Sequence, residues 1–142
     1  MKESLDKFGQ LIVKNMRDKQ LDHLYGLLEG KWRAKETKSL QGKLSNFNED
    51  ERKTLLLLVD NILTHTMHDL LFVIQSNNDM GDGLKVLMDG ENVAEISDGL
   101  QGEIFGDEGW IKKFSKYKPK TDNDPTIQSK GFLTGFFRKK SG

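Results

Sequence analysis

Two histidines and an aspartate stand close together in the most apolar stretch of the sequence, where they could bind a metal ion. His65, His68 and Asp69 interrupt the leucine-rich residues 55–74. If this stretch is a helix, His65 and His68 lie one turn apart and can point in the same direction. Imidazole and carboxylate groups are common zinc ligands. The spacing makes His65, His68 and Asp69 the candidate residues if a metal binds, and the same residues also form a solvated polar stripe with His65 paired to Asp69.

The same polar arc could serve an enzyme that binds a metal or a small molecule. It also contains Asn61, Thr64 and Gln75, which fall on one side of a helix at 100° per residue. A third histidine or a further carboxylate, His23 or Glu29, could complete the ligand set if the first helix packs alongside.

Four carboxylates crowd the glycine-containing loop near residue 100: Asp98, Glu103, Asp107 and Glu108. Mutual repulsion between such groups can raise the pKa of one of them and make it a general acid. Turn formation and helix capping explain the same residue types without any chemistry.

Residues 31–43 combine an aromatic side chain with several cations, as surfaces that bind nucleic acid do. Trp32 is the aromatic residue, and Glu36 interrupts the positive charge. An ordinary solvated connector accounts for this composition, and we therefore do not expect nucleic acid as a partner.

Residues 130–137 resemble the peptide with which replication proteins bind a sliding clamp, whose pattern is Q-x-x-[LIM]-x-x-[FY]-[FY]. Leu133, Phe136 and Phe137 match its three hydrophobic positions, and Lys130 stands where the pattern has glutamine. The resemblance covers eight residues and implies that the three apolar side chains enter a pocket of the clamp. An aromatic tail that folds back on its own core, or that lies at a membrane surface, is the alternative.

Apolar periodicity predicts two long helices that must position these groups. In the first, apolar residues recur every three or four positions: Leu5, Phe8, Ile12, Met16, Leu21, Leu24 and Leu28. The second begins at Asn48, where Glu51 completes a capping box, and ends among residues 77–81. Its predicted apolar face centres on Val59, Leu63, Leu70 and Val73. We expect this central helix to be mostly buried.

The remaining segments predict a hairpin and a short closing helix. Strands at about 84–88 and 92–96, joined by the loop Asp89–Glu91, would pair Leu84 with Ile96, Lys85 with Glu95, and Leu87 with Val93. Asp107 is predicted to cap a helix that carries Trp110, Ile111, Phe114 and Tyr117. Residues 31–45 are predicted to form a connector with one or two helical turns.

Together these elements predict an α+β fold that is mainly helical, with two long helices, a small β-hairpin and a short closing helix. We expect a single globular domain over residues 1–118, followed by a flexible linker and an aromatic, basic tail over residues 119–142. The length of 142 residues leaves no room for a second full core.

Composition and missing motifs narrow the function. Lys and Arg number 22, as do Asp and Glu, so the chain has no excess charge for nucleic acid or an anionic membrane. Without cysteine there is no thiolate nucleophile and no zinc site that needs a thiolate. The sequence contains no P-loop, H-E-x-x-H or G-x-S-x-G motif.

We therefore expect a small non-catalytic binding or regulatory protein, similar to an immunity or inhibitor protein, that acts through a protein partner. It would need no cofactor. The polar N-terminus and the lack of 18 consecutive apolar residues predict a cytoplasmic protein of a bacterium or phage with no membrane span. The alternatives are an enzyme that uses the polar arc and a replication-associated protein that docks through its tail.

Overall fold

The structure is a computed structural model and describes residues 2–119. Its elements follow in chain order: α1 (Lys2–Ile12), a π-helical segment (Val13–Asp18), α2 (Lys19–Leu28), α3 (Lys35–Leu44), α4 (Glu49–Met80), β1 (Leu87–Met88), β2 (Glu91–Asn92), a 3-10 turn (Leu100–Gly102) and α5 (Trp110–Phe114). It is 65% helical with one two-stranded antiparallel hairpin, which confirms the predicted α+β class.

The described residues form two compact units. The larger unit comprises residues 2–22 and 60–119, and the smaller unit comprises residues 23–59. Helices α2 and α4 each contribute residues to both units. The single domain over residues 1–118 stays a prediction.

The core of the larger unit joins α1, the π-helical segment, α4, the loops after the hairpin, and α5. Its fully buried members include Val13, Met67, Leu71 and Trp110. The Trp110 indole packs so closely on α1 that a Cβ atom at Gly9 would lie 2.3 Å from its Cδ2 atom. A glycine at this position is therefore required for α1 and α5 to pack as they do.

The π-helical segment changes which residues of the first helix are buried. The periodicity predicts Ile12 and Met16 on the buried face, but Val13 and Arg17 are completely buried and the predicted pair is only partly so. A π-helical turn holds an extra residue, so it shifts the buried positions by one along the chain. The apolar residues alone follow a regular pattern and do not indicate this shift. The predicted buried face is therefore wrong from residue 12 to residue 17.

Both ends of α4 lie where the sequence predicts them. The Asn48 backbone N–H donates to Glu51 Oε2 and the Glu51 N–H donates to Asn48 Oδ1, each over 2.9 Å, which confirms the capping box. At the other end Gly81 has a φ of +73°, and the Asp82 N–H donates to the carbonyl of Asn77 over 3.0 Å. This left-handed glycine closes the last turn of the helix.

The buried face of α4 differs from the predicted one. Asp60, Met67, Leu71 and Ile74 are its buried residues, whereas Leu70 and Val73 are 37% and 49% exposed. The prediction was wrong because apolar residues surround this helix on more than one side, so their positions alone do not select the face that packs. The prediction that α4 is mostly buried is likewise wrong, because four of its 32 residues are buried.

The hairpin is shorter than predicted and its register is displaced by one residue. Leu87 pairs with Asn92, and Met88 pairs with Glu91. The loop therefore has two residues, Asp89 and Gly90, with φ values of +51° and +83°. Two consecutive left-handed residues are typical of the tight turn that matches strand twist, which explains why the predicted three-residue loop does not form.

Two further elements differ from the sequence-based interpretation. The connector contains a full helix, α3, of ten residues. Helix α5 begins after Gly109 with no side-chain cap, so the predicted cap at Asp107 is wrong, and it ends at Phe114, before Tyr117. Its end is fixed by Ser115, whose backbone is extended and whose hydroxyl donates to Asp18.

Candidate functional site

The predicted polar arc of α4 is only partly assembled. His65 and Asp69 are exposed and His68 is half-buried. His68 Nδ1 lies 3.0 Å from Asp69 Oδ1, so Asp69 contacts His68 and not the predicted partner, His65. Among residues 2–119 no group of three or more His, Cys, Asp or Glu side chains could hold a metal ion. Metal binding at His65, His68 and Asp69 stays a prediction.

Other members of the arc have structural partners. The Gln75 side chain accepts a hydrogen bond from the Leu100 backbone N–H over 3.0 Å and donates one to the Ala94 carbonyl over 3.2 Å. The Thr64 hydroxyl donates to the carbonyl of Asp60 over 2.9 Å. The two Gln75 bonds fix the loop after the hairpin on α4, and the Thr64 bond lies within α4 itself.

Two aromatic rings flank His68. The Phe72 ring is nearly parallel to the imidazole at 8°, with centroids 6.4 Å apart, and the Phe105 ring is tilted at a centroid distance of 6.1 Å. Both phenylalanine side chains are about half exposed, at 52%. Sequence reasoning missed Phe105, because no local pattern indicates that the loop returns to α4.

A surface of exposed apolar side chains runs along α4 within the larger unit. We call it the outer face, and it consists of Ile62, Phe72, Val73 and Met80 together with His65 and Asp69. At 100° per residue, Ile62, Phe72 and Val73 point roughly away from the buried Met67 and Leu71. Contiguous exposed apolar side chains on a protein surface mark interaction sites.

Helix α4 is also long and apolar enough to cross a membrane by length and composition alone. Its most apolar window has a mean hydropathy of 1.3, and 22% of that window is buried. The same helix carries the buried Asp60 carboxylate, which contacts Arg17 in the larger unit. The absence of a membrane span stays a prediction.

A buried arginine organises the other side of the larger unit. Arg17 has no exposed surface, and its Nη2 atom donates to Asp60 Oδ1 over 2.6 Å. Its Nη1 atom donates to Ser115 Oγ over 2.7 Å and to the Tyr117 carbonyl over 3.0 Å. The hydrogen bonds of the guanidinium position the chain after α5. Because the guanidinium is closed to solvent, it offers no surface to a ligand. Sequence reasoning missed Arg17, because no local pattern indicates that this basic side chain is buried.

In the acidic loop, Asp107 does not have the raised pKa that a general acid would need. Lys112 donates to the Asp107 carboxylate and holds the pKa of that group below its ordinary value, which is the opposite of what a general acid needs. Glu103 accepts a hydrogen bond from the Ser97 hydroxyl over 2.6 Å. These two carboxylates have structural partners.

In the smaller unit Trp32 is a packing residue. Its indole nitrogen donates to the His23 carbonyl over 3.0 Å, and its ring lies against Gly26, where a Cβ atom would be 2.3 Å away. The Gln41 side chain bonds both the backbone N–H and the carbonyl of Trp32, over 2.9 and 2.8 Å. These contacts hold the ring against its own chain, although 36% of the residue is exposed. That nucleic acid is not a partner stays a prediction.

The predicted clamp-binding residues Leu133, Phe136 and Phe137 lie outside the described residues. The outer face of α4, with the aromatic cluster around His68, is thus the candidate site that the described residues provide. Comparisons with protein-family models, with curated proteins and with solved structures find no match to this chain.

Proposed function

We propose that the protein is a small non-catalytic binding or regulatory protein, of the immunity or inhibitor kind, and that the outer face of α4 binds its protein partner. One observation carries the proposal: α4 uses Met67 and Leu71, both with no exposed surface, for the core, yet leaves Ile62 and Phe72 about half exposed at 53% and 52%. Burying such side chains against a partner is favourable by about 25 cal/mol for each Å² of apolar surface.

The chemistry of this face suits a protein better than lipid. His65 and Asp69 lie within it and are exposed. An ionisable pair is costly in hydrocarbon, whereas a protein interface can supply hydrogen-bond partners for both groups. The aromatic rings of Phe72 and Phe105 are the residue type enriched in the centre of protein interfaces.

Site-specific photo-crosslinking tests the proposal. A photo-reactive amino acid is placed at Ile62 or at Phe72 of the full chain, and a matched control carries it at Leu11 of α1, which is exposed to the same 53% as Ile62. We expect covalent protein adducts from Ile62 and Phe72, in concentrated pure protein or in extract of the source cell, and none from Leu11. Equal labelling at all three positions, or no adduct at any, would contradict the proposal.

A second candidate function rests on the contact between His68 and Asp69. A carboxylate at 3.0 Å can orient an imidazole so that its other nitrogen accepts a proton or binds a metal. This contact supports the alternative of a metal- or small-molecule-binding enzyme. Metal analysis of the purified chain, with His68→Ala as the control, tests it: zinc that is retained by the native chain and lost in the variant favours the enzyme.

A further inference from the structure

We propose that the partner of the outer face is a second copy of this chain, bound with the two α4 helices antiparallel. This inference rests on the proposed function and names the partner of the same site. It follows from the spacing, symmetry and charge of five residues that form one line on α4.

These residues make a regular seam. Ile62, His65, Asp69, Phe72 and Ser76 follow one another at steps of three, four, three and four residues along a continuous helix. Alternating steps of this kind keep side chains on one narrow stripe, which is the arrangement that allows two helices to pack along their length. None of the five belongs to the buried residues of α4.

Four of the five seam residues, all but Ser76, form complementary pairs when the seam is reversed. A two-fold axis that passes between the two α4 helices, at the height midway between His65 and Asp69, brings Ile62 of one copy level with Phe72 of the other. The same operation brings His65 level with Asp69 of the second copy, and each contact occurs twice. A closed dimer requires such a self-complementary surface, in which each residue meets the same partner from both sides.

Charge selects the antiparallel direction. In a parallel, in-register pair, Asp69 would face Asp69 of the other copy, and like charges at an interface weaken association. In the antiparallel pair each Asp69 carboxylate faces an imidazole, which donates a hydrogen bond to it whether His65 is neutral or protonated. The apolar contacts between Ile62 and Phe72 flank these polar contacts on both sides.

The size of the seam indicates a dimer that dissociates on dilution. Residues 62–76 span about 21 Å of helix, which is a narrow contact by the standards of permanent oligomers. The half-exposed Phe105 ring beside His68 adds apolar surface at the edge. We expect a dissociation constant on the order of micromolar.

Sedimentation equilibrium of the full chain, from about 1 to about 500 µM, tests the proposal. The native chain should pass from monomer to dimer, and Phe72→Glu should weaken the dimer at least about tenfold. Leu11→Glu is the control, because Leu11 is an exposed leucine on another helix, and it should leave the dimer unchanged. A native chain that stays monomeric throughout this range overturns the proposal.

A charge exchange tests the antiparallel register. His65→Glu alone places two carboxylates at each polar contact, and Asp69→Lys alone places two bases there, so each variant should dimerise more weakly than the native chain. The double variant H65E/D69K again sets one acid against one base in the antiparallel pair and should dimerise like the native chain. A parallel pair would gain nothing from the exchange, so a double variant as weak as the single variants contradicts this register.

The crosslinking experiment separates the two proposals. Adducts from Ile62 and Phe72 with twice the mass of the chain support the second copy. Adducts of a different mass, from a chain that stays monomeric in the centrifuge, overturn the second copy and leave the outer face as a binding surface. If neither position gives an adduct above the Leu11 control, the proposed function fails together with the inference.

Discussion

At the scale of single residues, Arg17 shows how one charged side chain determines local structure. It is fully buried, and its hydrogen bonds join Asp60 of α4 to Ser115 and Tyr117 beyond α5. The Asp18 carboxylate accepts a bond from the Lys116 backbone N–H over 2.9 Å on the same side. These charge-assisted bonds fix where the chain leaves α5.

We predict that Arg17→Met destabilises the protein by about 3 to 5 kcal/mol, because it leaves the buried Asp60 carboxylate without its charged partner. Urea unfolding measures the change. Lys53→Met is the control, since it breaks only the exposed pair between Lys53 and Glu49 and should cost less than about 1 kcal/mol. Similar losses in the two variants would contradict the structural role of Arg17.

At the level of secondary structure, local chemistry determines the two ends of α4, and packing determines which of its faces is buried. Asn48, Glu51 and Gly81 define its ends through bonds within a few residues, and the sequence predicts those ends correctly. Its packed face depends on which apolar side the rest of the chain covers. Leu70 and Val73 are as apolar as Leu71 and Ile74, so composition along the helix cannot distinguish the exposed side from the buried one.

Two other features depend on information that no local pattern carries. The π-helical segment inserts one residue into a regular apolar repeat, and nothing in the types of Val13 to Asp18 indicates it. The ring of Phe105 meets His68 only because the chain after the hairpin returns to α4. The sequence therefore predicts the residues of the polar arc but not the aromatic cluster or the outer face.

We predict that the buried face of α4 responds to truncation and that the exposed one does not. Met67→Ala or Leu71→Ala should cost about 2 to 5 kcal/mol, because each side chain is completely buried and leaves a cavity. Val73→Ala, at a side chain that is 49% exposed, should cost less than about 1 kcal/mol when unfolding is measured at low protein concentration. The opposite ranking would show that the assignment of the two faces is wrong.

The hairpin contacts α1 through an ionisable group. The Ser4 hydroxyl beside the Glu91 carboxylate holds the pKa of Glu91 below its ordinary value. A lowered pKa in the folded state means that this contact stabilises the protein above the unfolded-state pKa. The stabilisation is lost as the pH falls through the lower, folded-state value.

We therefore predict that Ser4→Ala is less stable than the native chain at about pH 7 and that the difference shrinks near pH 3. Urea unfolding at a series of pH values measures it. In a Glu91→Gln background, Ser4→Ala should have an effect that does not vary with pH. A native-to-variant difference that is the same at both pH values would contradict the assigned contact.

For the molecule as a whole, the sequence predicts that residues 119–142 bind a partner and are not needed for the domain to fold. The described anchors of the preceding segment, Ser115 and Tyr117, accept hydrogen bonds from Arg17. We predict that deletion of residues 119–142 leaves the free energy of unfolding unchanged within about 1 kcal/mol. A loss of several kcal/mol would make the tail part of the core.

The same deletion tests the proposed docking of a sliding clamp. The resemblance of Leu133, Phe136 and Phe137 to the clamp-binding peptide implies that Phe136→Ala abolishes binding to a purified clamp as completely as the deletion does. Binding that survives both changes, or that the native chain never shows, would remove the replication-associated alternative.

On our proposal a partner covers the outer face of α4 in solution, and the methyl NMR signal of Ile62 reports whether it does. Ile74 is the internal reference, because it lies on the same helix but is buried, with 7% of its surface exposed. As the labelled full chain is concentrated, we expect the Ile62 signal to shift or broaden progressively while the Ile74 signal stays in place. Signals that remain constant for both residues at all concentrations, and that stay unchanged when extract of the source cell is added, would contradict the claim.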